Sequence, residues 1–292
     1  IMYSEMESDG SFILKLFCVD PSVNLKECMT RARSSILFSA TLLPIQYYKK
    51  LLGGEPEDYE VYADSIFDPA RRALFLACDV TTKYSRRSLE EYEKIASYIQ
   101  QITRQRKGNY LIFFPSHAFL QDIYGIYCDE YLDAEREECI LQEEYMKEES
   151  REEFLGRFAQ SEKSLLGFCV MGGIFSEGID LKADRLIGAI LVGTGLPQVC
   201  NEREMISRFF EEETQDGFSY AYQFPGMNKV LQAAGRVIRT SGDIGVVVLL
   251  DERFRQRSYQ QLFPKEWESY RVISRDTAAA ETRQFWQKWK DD

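Results

Sequence analysis

The chain has 292 residues, 45% of them hydrophobic and 28% charged, a balance that supports one large core or two modest ones and excludes a disordered or fibrous chain. No stretch approaches the ~18 consecutive apolar residues of a membrane span. The polar start at residues 1–10 lacks the basic and apolar regions of a signal peptide, so a soluble, cytoplasmic chain with no membrane partner is expected. The net charge of -11 argues against a nucleic-acid partner until its distribution is read. Residues 129–153 hold twelve acids against Arg136, Lys147 and Arg151, a local charge of -9, which leaves only -2 for the rest. That run reads as the solvated faces of a pair of helices in preference to an acidic interaction surface.

Seven scattered cysteines, with no Cys-x-x-Cys pair, argue against a disulfide framework, and with His117 the single histidine no zinc or iron-sulfur site is expected within this chain. The thiols read as reduced. The first residue is Ile rather than Met, consistent with a piece of a longer protein or with a start at Met2.

In chain order, short apolar runs alternate with helical patterns, which predicts an α/β fold with a mainly parallel sheet covered by helices on both faces. Ser35–Phe38 reads as a strand, and Gly53–Pro69, with its Gly-Gly and two prolines, as a loop or linker. Leu89–Arg104 follows as a helix with Tyr92, Ile95, Ala96, Ile99 and Ile102 on one face. Strands are then predicted at Tyr110–Phe114, Glu138–Leu141, Leu165–Met171, Leu186–Val192 and Gly245–Leu250, with helices at Ala118–Tyr131 and Glu148–Ala159. Past Leu250 the pattern is helical and ends in a polar, Trp-rich tail, Asp276–Asp292.

Four motifs could carry chemistry. Gln232, Arg236 and Arg239, read as one helix face, set two guanidiniums three residues apart with a glutamine one turn earlier. Planar, permanently charged donors so spaced suit a phosphate chain, and they equally suit the exposed face of an ordinary amphipathic helix. Gly172, Gly173, Ser176, Glu177, Gly178 and Asp180 follow an apolar strand, at the sheet edge where α/β folds bind ligands; a tight turn would need the glycines but not the acids. Ser39 and Thr41 put hydroxyls at the end of the predicted strand Ser35–Phe38. After Tyr110–Phe114, Pro115 stops the strand and Ser116 offers a helix cap, a phosphate-backbone contact, or both. His117 has no partner in the sequence and is given no role.

In this order the motifs resemble those of the superfamily 2 DNA helicases of the DinG and XPD type, on the bacterial DinG side. Ser39, Ala40 and Thr41 match motif III, Phe114–Ser116 motif IV, Gly172–Asp180 motif V and Gln232–Arg239 motif VI, over roughly residues 30 to 260. The resemblance implies a RecA-like three-layer α/β/α domain. It implies that Arg236 and Arg239 reach the γ-phosphate of ATP as arginine fingers, with Gln232, Glu177, Gly178 and Asp180 beside the nucleotide. Ser116, Gly172, Gly173 and Ser176 would touch single-stranded DNA, and Ser39 and Thr41 would couple the two sites. The implied layout is residues 1–52 as the end of a first motor domain, 53–88 as a linker or insertion, 89–275 as the second motor domain and 276–292 as a helical tail.

A phosphate-binding loop needs a Gly-Lys dipeptide, and the sequence has none. Asp251 and Glu252 follow an apolar strand as a metal-binding acid would, but without that loop upstream Asp251 and Arg253 read as a strand-end structural pair. ATP and Mg²⁺ would then be shared with the first, N-terminal motor domain of the same protein, where an iron-sulfur cluster would also lie. The expected function is that of the second motor domain of an ATP-dependent 5′ to 3′ DNA helicase in repair or replication, inactive alone. The competing reading is a catalytically inert module that holds single-stranded nucleic acid or a protein.

Overall fold

A computed structural model describes residues 1–6, 9–175 except 161, and 186–290. Ser176, Glu177, Gly178 and Asp180 lie outside the described residues. The chain divides into two compact units, residues 1–62 with 197–225, and residues 63–196 with 226–292.

The first unit opens with β1 (Met2–Met6) and β2 (Phe12–Leu16), an antiparallel pair in which Met2 faces Leu16 and Met6 faces Phe12. Helices α1 (Ser22–Met29) and α2 (Ile45–Leu51) follow. The predicted strand Ser35–Phe38 does not form: the segment has no ladder partner among the described residues, and Ile36 and Phe38 are 84% and 90% exposed. Strand propensity without a neighbouring edge leaves backbone donors and acceptors to water. The unit's second stretch contributes a helix (Asn201–Thr214) and a π-turn, Ser219–Gln223. Its packing centre is aromatic, with Phe210 stacked on Tyr220 at 4.2 Å and Tyr47 set against Tyr220 and Phe224 at about 5 Å.

The second unit begins with β3 (Arg72–Ala77), which falls inside the stretch expected as a linker. Then come α3 (Leu89–Thr103), β4 (Tyr110–Phe114), α4 (His117–Ile126), β5 (Glu137–Leu141), α5 (Glu148–Gln160), β6 (Ser164–Val170) and β7 (Gly188–Val192). With Asn201–Thr214 as α6, the chain continues through α7 (Phe224–Ala234), β8 (Gly245–Leu250), the single turn α8 (Arg257–Gln260), β9 (Arg271–Ile273) and α9 (Ala278–Gln287). Seven strands form one sheet in the order β5-β6-β4-β7-β8-β3-β9, and every pair is parallel.

Parallel strands joined by crossovers are buried on both faces, and β4, β7 and β8 are buried at every position. Phe75, Ile112, Phe114, Phe168, Ile190 and Val248 pack under α3, α4 and α9. Leu111, one residue out of phase, turns to the other face, where Phe154 and Phe158 of α5 press on the backbone of Gly167. A Cβ on Gly167 would stand 2.9 Å from both Leu111 and Phe158, so the position admits only glycine without a shift. The expected C-terminal tail is a helix whose Phe285 and Trp286 are buried in the core of this unit.

The predicted helix Ala118–Tyr131 is α4 followed by a π-turn, Tyr127–Tyr131. The acidic run is not a pair of helix faces alone: it includes the edge strand β5 as well as the start of α5. Most of its carboxylates are exposed or half-exposed, but Glu137 is buried and accepts from the Tyr127 hydroxyl (2.9 Å) and the Asp133 N–H (3.2 Å).

Candidate functional site

The carboxyl edge of the sheet is where four strands end in polar loops. β3 runs into Thr81 and Thr82, and β8 into Asp251. Asp251 is fully buried; its Oδ2 accepts from the Thr82 N–H (2.9 Å) and hydroxyl (2.7 Å), and Arg253 donates to both carboxylate oxygens at 2.8 Å. Burial pushes the Asp251 carboxyl up, but the hydrogen bonds and charge of Arg253 outweigh it and hold the group below the ordinary carboxylate range. Every strong acceptor of Asp251 faces Arg253 or Thr82, so the expected strand-end structural pair is what the geometry shows.

Ser116 lies on the same edge, after β4. Its hydroxyl caps α4 by accepting from the Phe119 N–H at 3.3 Å, while the Met171 N–H, leaving β6, donates to the Phe114 carbonyl at 2.8 Å. β4 and β6 are sheet neighbours, so the structure brings Ser116 and the Gly172–Gly173 turn to adjacent strand ends. Gly172 has φ +75°, and a Cβ there would stand 2.7 Å from the Lys229 stem. Both facts require glycine. Gly193 and Gly195, after β7, also have positive φ.

Gln232, Arg236 and Arg239 sit at the opposite edge. Val237 lies against the place where a Cβ on Gly245 would stand, and Gly245 begins β8. The single helix face expected for these residues is corrected by the structure: α7 ends at Ala234. Gly235 closes the last turn by donating to the Leu231 carbonyl (2.9 Å), and Arg236 donates to Ala233 (3.3 Å) as the chain tightens. The buried Asp243 then captures the N–H groups of Arg239 and Thr240, both at 2.7 Å, and the Thr240 hydroxyl at 2.8 Å, which replaces any further helical turn. Gln232 remains on α7, Arg236 is half-buried in the turn, and Arg239 is exposed in the loop. Arg236 and Arg239 thus lie on a turn whose far end, at Arg239 and Thr240, is fixed by a buried carboxylate.

Ser39 and Thr41 belong to the first unit. The Thr41 N–H donates to the Ser39 hydroxyl at 3.3 Å, a local turn in an otherwise exposed segment. Among the described residues no three His, Cys, Asp or Glu side chains are grouped to hold a metal ion, and no helix is long and apolar enough to cross a membrane. Sequence reading passed over the loop after β3, which carries Lys83, Tyr84, Arg86 and Arg87. Three bases around an aromatic residue were the available signal, hidden because the preceding strand went unread.

A family described as the helicase C-terminal domain matches residues 99–270, more than half of the chain. The ATP-dependent DNA helicase XPD of Sulfolobus acidocaldarius is 28% identical over 231 residues, covering 76% of this chain and 39% of its own length. The ATP-dependent DNA helicase CHL1 of Scheffersomyces stipitis is 24% identical over 95% of this chain and 37% of its own length. The general transcription and DNA repair factor IIH helicase subunit XPD of Schizosaccharomyces pombe is 26% identical over 88% and 35%. The chain thus spans less than two-fifths of the curated relatives it matches. Among solved structures, an XPD helicase superposes with a TM-score of 0.68 at 22% identity, over 90% of this chain and 46% of that one. The fold is therefore RecA-like.

Proposed function

Because the chain belongs to the helicase C-terminal domain family, we propose that it is the second motor domain of an ATP-dependent DNA helicase that moves 5′ to 3′ along single-stranded DNA in repair or replication. The observation that carries this reading is the placement of the motifs on two edges of one sheet. Arg236 and Arg239 precede β8 at the amino edge, and Ser116 and Gly172–Gly173 follow β4 and β6 at the carboxyl edge. In this reading the arginines neutralise charge on the γ-phosphoryl group of ATP, with Gln232, Glu177, Gly178 and Asp180 beside the nucleotide. Ser116, Gly172, Gly173 and Ser176 meet the strand, and residues 1–52 belong to a first motor domain whose Ser39 and Thr41 couple ATP to DNA.

Among the described residues no three His, Cys, Asp or Glu side chains are grouped for a metal, and without a Gly-Lys phosphate loop no hydrolytic step is assigned to this chain; Mg²⁺, like ATP, would be shared with the first motor domain. The chain alone should release phosphate at background rate and bind single strands weakly, with an affinity that falls steeply as salt rises. Fluorescence anisotropy across a salt series and a coupled phosphate assay test both. Salt-independent binding, or multiple-turnover hydrolysis abolished by Arg239→Ala, would overturn the reading. Coding sequence upstream of Ile1 with a phosphate loop would support it, whereas an in-frame start at Met2 would leave the inert binding module.

A further inference from the structure

The loop between β3 and α3 is rigid at both ends. Thr82 is tied to Asp251, the Thr81 N–H donates to the buried Glu91 carboxylate at 3.0 Å, and Ser88 caps α3 through the Glu91 N–H. Between these anchors a short 3₁₀ turn, Tyr84–Arg86, lifts Tyr84 until it is 85% exposed. A large ring on a fixed backbone gains almost no burial there. Its inner side is built: the Arg87 guanidinium lies 5.3 Å from the Tyr84 ring and 4.6 Å from the ring of Phe119, which is buried against Tyr92 at 5.2 Å. The order is buried ring, cation, exposed ring.

Phe119 also donates the N–H that Ser116 accepts, so this stack shares its base with the start of α4. Lys83 and Arg86 flank the ring and share one carboxylate, Glu252, at 3.0 and 3.3 Å. Arg86 also reaches Glu91 at 3.5 Å, a carboxylate already paired with Lys94 at 3.0 Å. The turn carries more positive than negative charge around an aromatic face that points to solvent.

We infer that Tyr84, backed by Arg87, is a stacking platform for a base of the single strand, with Lys83 and Arg86 as its phosphate contacts. This rests on the strand-binding reading given above and names where a base would be held. A π-face accepts any base, so the platform grips without choosing sequence. The test compares the unaltered chain with Tyr84→Ala and Tyr84→Phe on a labelled oligothymidylate and on an abasic strand of equal length. Tyr84→Ala should weaken oligothymidylate binding between about fivefold and a hundredfold. That loss should be the same at low and high salt, the abasic strand should bind as before, and Tyr84→Phe should bind like the unaltered chain. Equal binding by Tyr84→Ala, or equal losses on both strands, overturns the platform while leaving the strand-binding reading in place. No binding of either strand by the unaltered chain overturns both. Unchanged thermal unfolding of Tyr84→Ala, expected for so exposed a side chain, separates lost contact from lost fold.

Discussion

The two edges of the sheet use the same pair of residue types in opposite ways. At the carboxyl edge Asp251 binds the side chain of Arg253 and spends the guanidinium on holding two strand ends together. At the amino edge Asp243 binds the backbone of Arg239 and its neighbour Thr240, so the carboxylate fixes the loop from which the guanidinium extends. An arginine next to an aspartate is therefore not one kind of site. Whether the acid takes the side chain or the main chain decides if it holds the guanidinium itself or sets the backbone that carries it.

The sharpest way to break this contrast is Asp251→Ala, which leaves a mostly buried guanidinium and the Thr82 hydroxyl with no carboxylate. Urea unfolding should show a loss of about 3–5 kcal/mol. A loss below about 1 kcal/mol would mean that the pair is peripheral. The pH dependence has a definite sign. The folded Asp251 carboxyl stands below its ordinary value, so its contribution is complete above the unfolded aspartate's pKa, about 3.9, and is lost as pH falls through the folded value. Stability measured at falling pH should therefore converge with that of Asp251→Asn in acid and separate from it at neutral pH.

Asp243→Ala should cost less, about 1–3 kcal/mol, because it frees neutral donors near the surface rather than a buried charge. It should also loosen amide-exchange protection at Arg239 and Thr240 selectively; protection unchanged there would remove the carboxylate from the loop's support. Gly172→Ala should cost about 1–2 kcal/mol through its positive φ and the Lys229 stem, read by thermal unfolding. Ser116→Ala should cost about 1 kcal/mol as a lost helix cap, again by thermal unfolding. If Ser116 also touches a phosphate, its strand affinity should fall while that of Gly235→Ala, at the other edge, does not.

How much of this was legible follows from where each residue sits. Tyr110–Phe114 announced itself because a central parallel strand is apolar at every position. Ala73–Ala77 has the same character, but the prolines and glycines before it read as a linker that continues through it. The hairpin Met2–Met6 with Phe12–Leu16 was missed because pairing depends on register, which short strands do not advertise. Ser35–Phe38 shows the converse error, since composition records a strand's preference and not the presence of a partner. Of the site motifs, Ser176–Asp180 lies outside the described residues, and the single helix face expected for Gln232–Arg239 does not form. Its periodicity continues past Ala234, and the capture that stops the helix comes from Asp243, beyond the pattern.

The ends of the seven-stranded sheet expose unpaired backbone, and the two are guarded differently. β9 is three residues long, too brief to template another chain. β5 is longer, and it lies inside the stretch where carboxylates outnumber bases by nine. A second copy approaching that border edge to edge would have to bring its own carboxylates alongside, so the negative charge that first argued against a nucleic-acid partner opposes edge-to-edge pairing of the sheet.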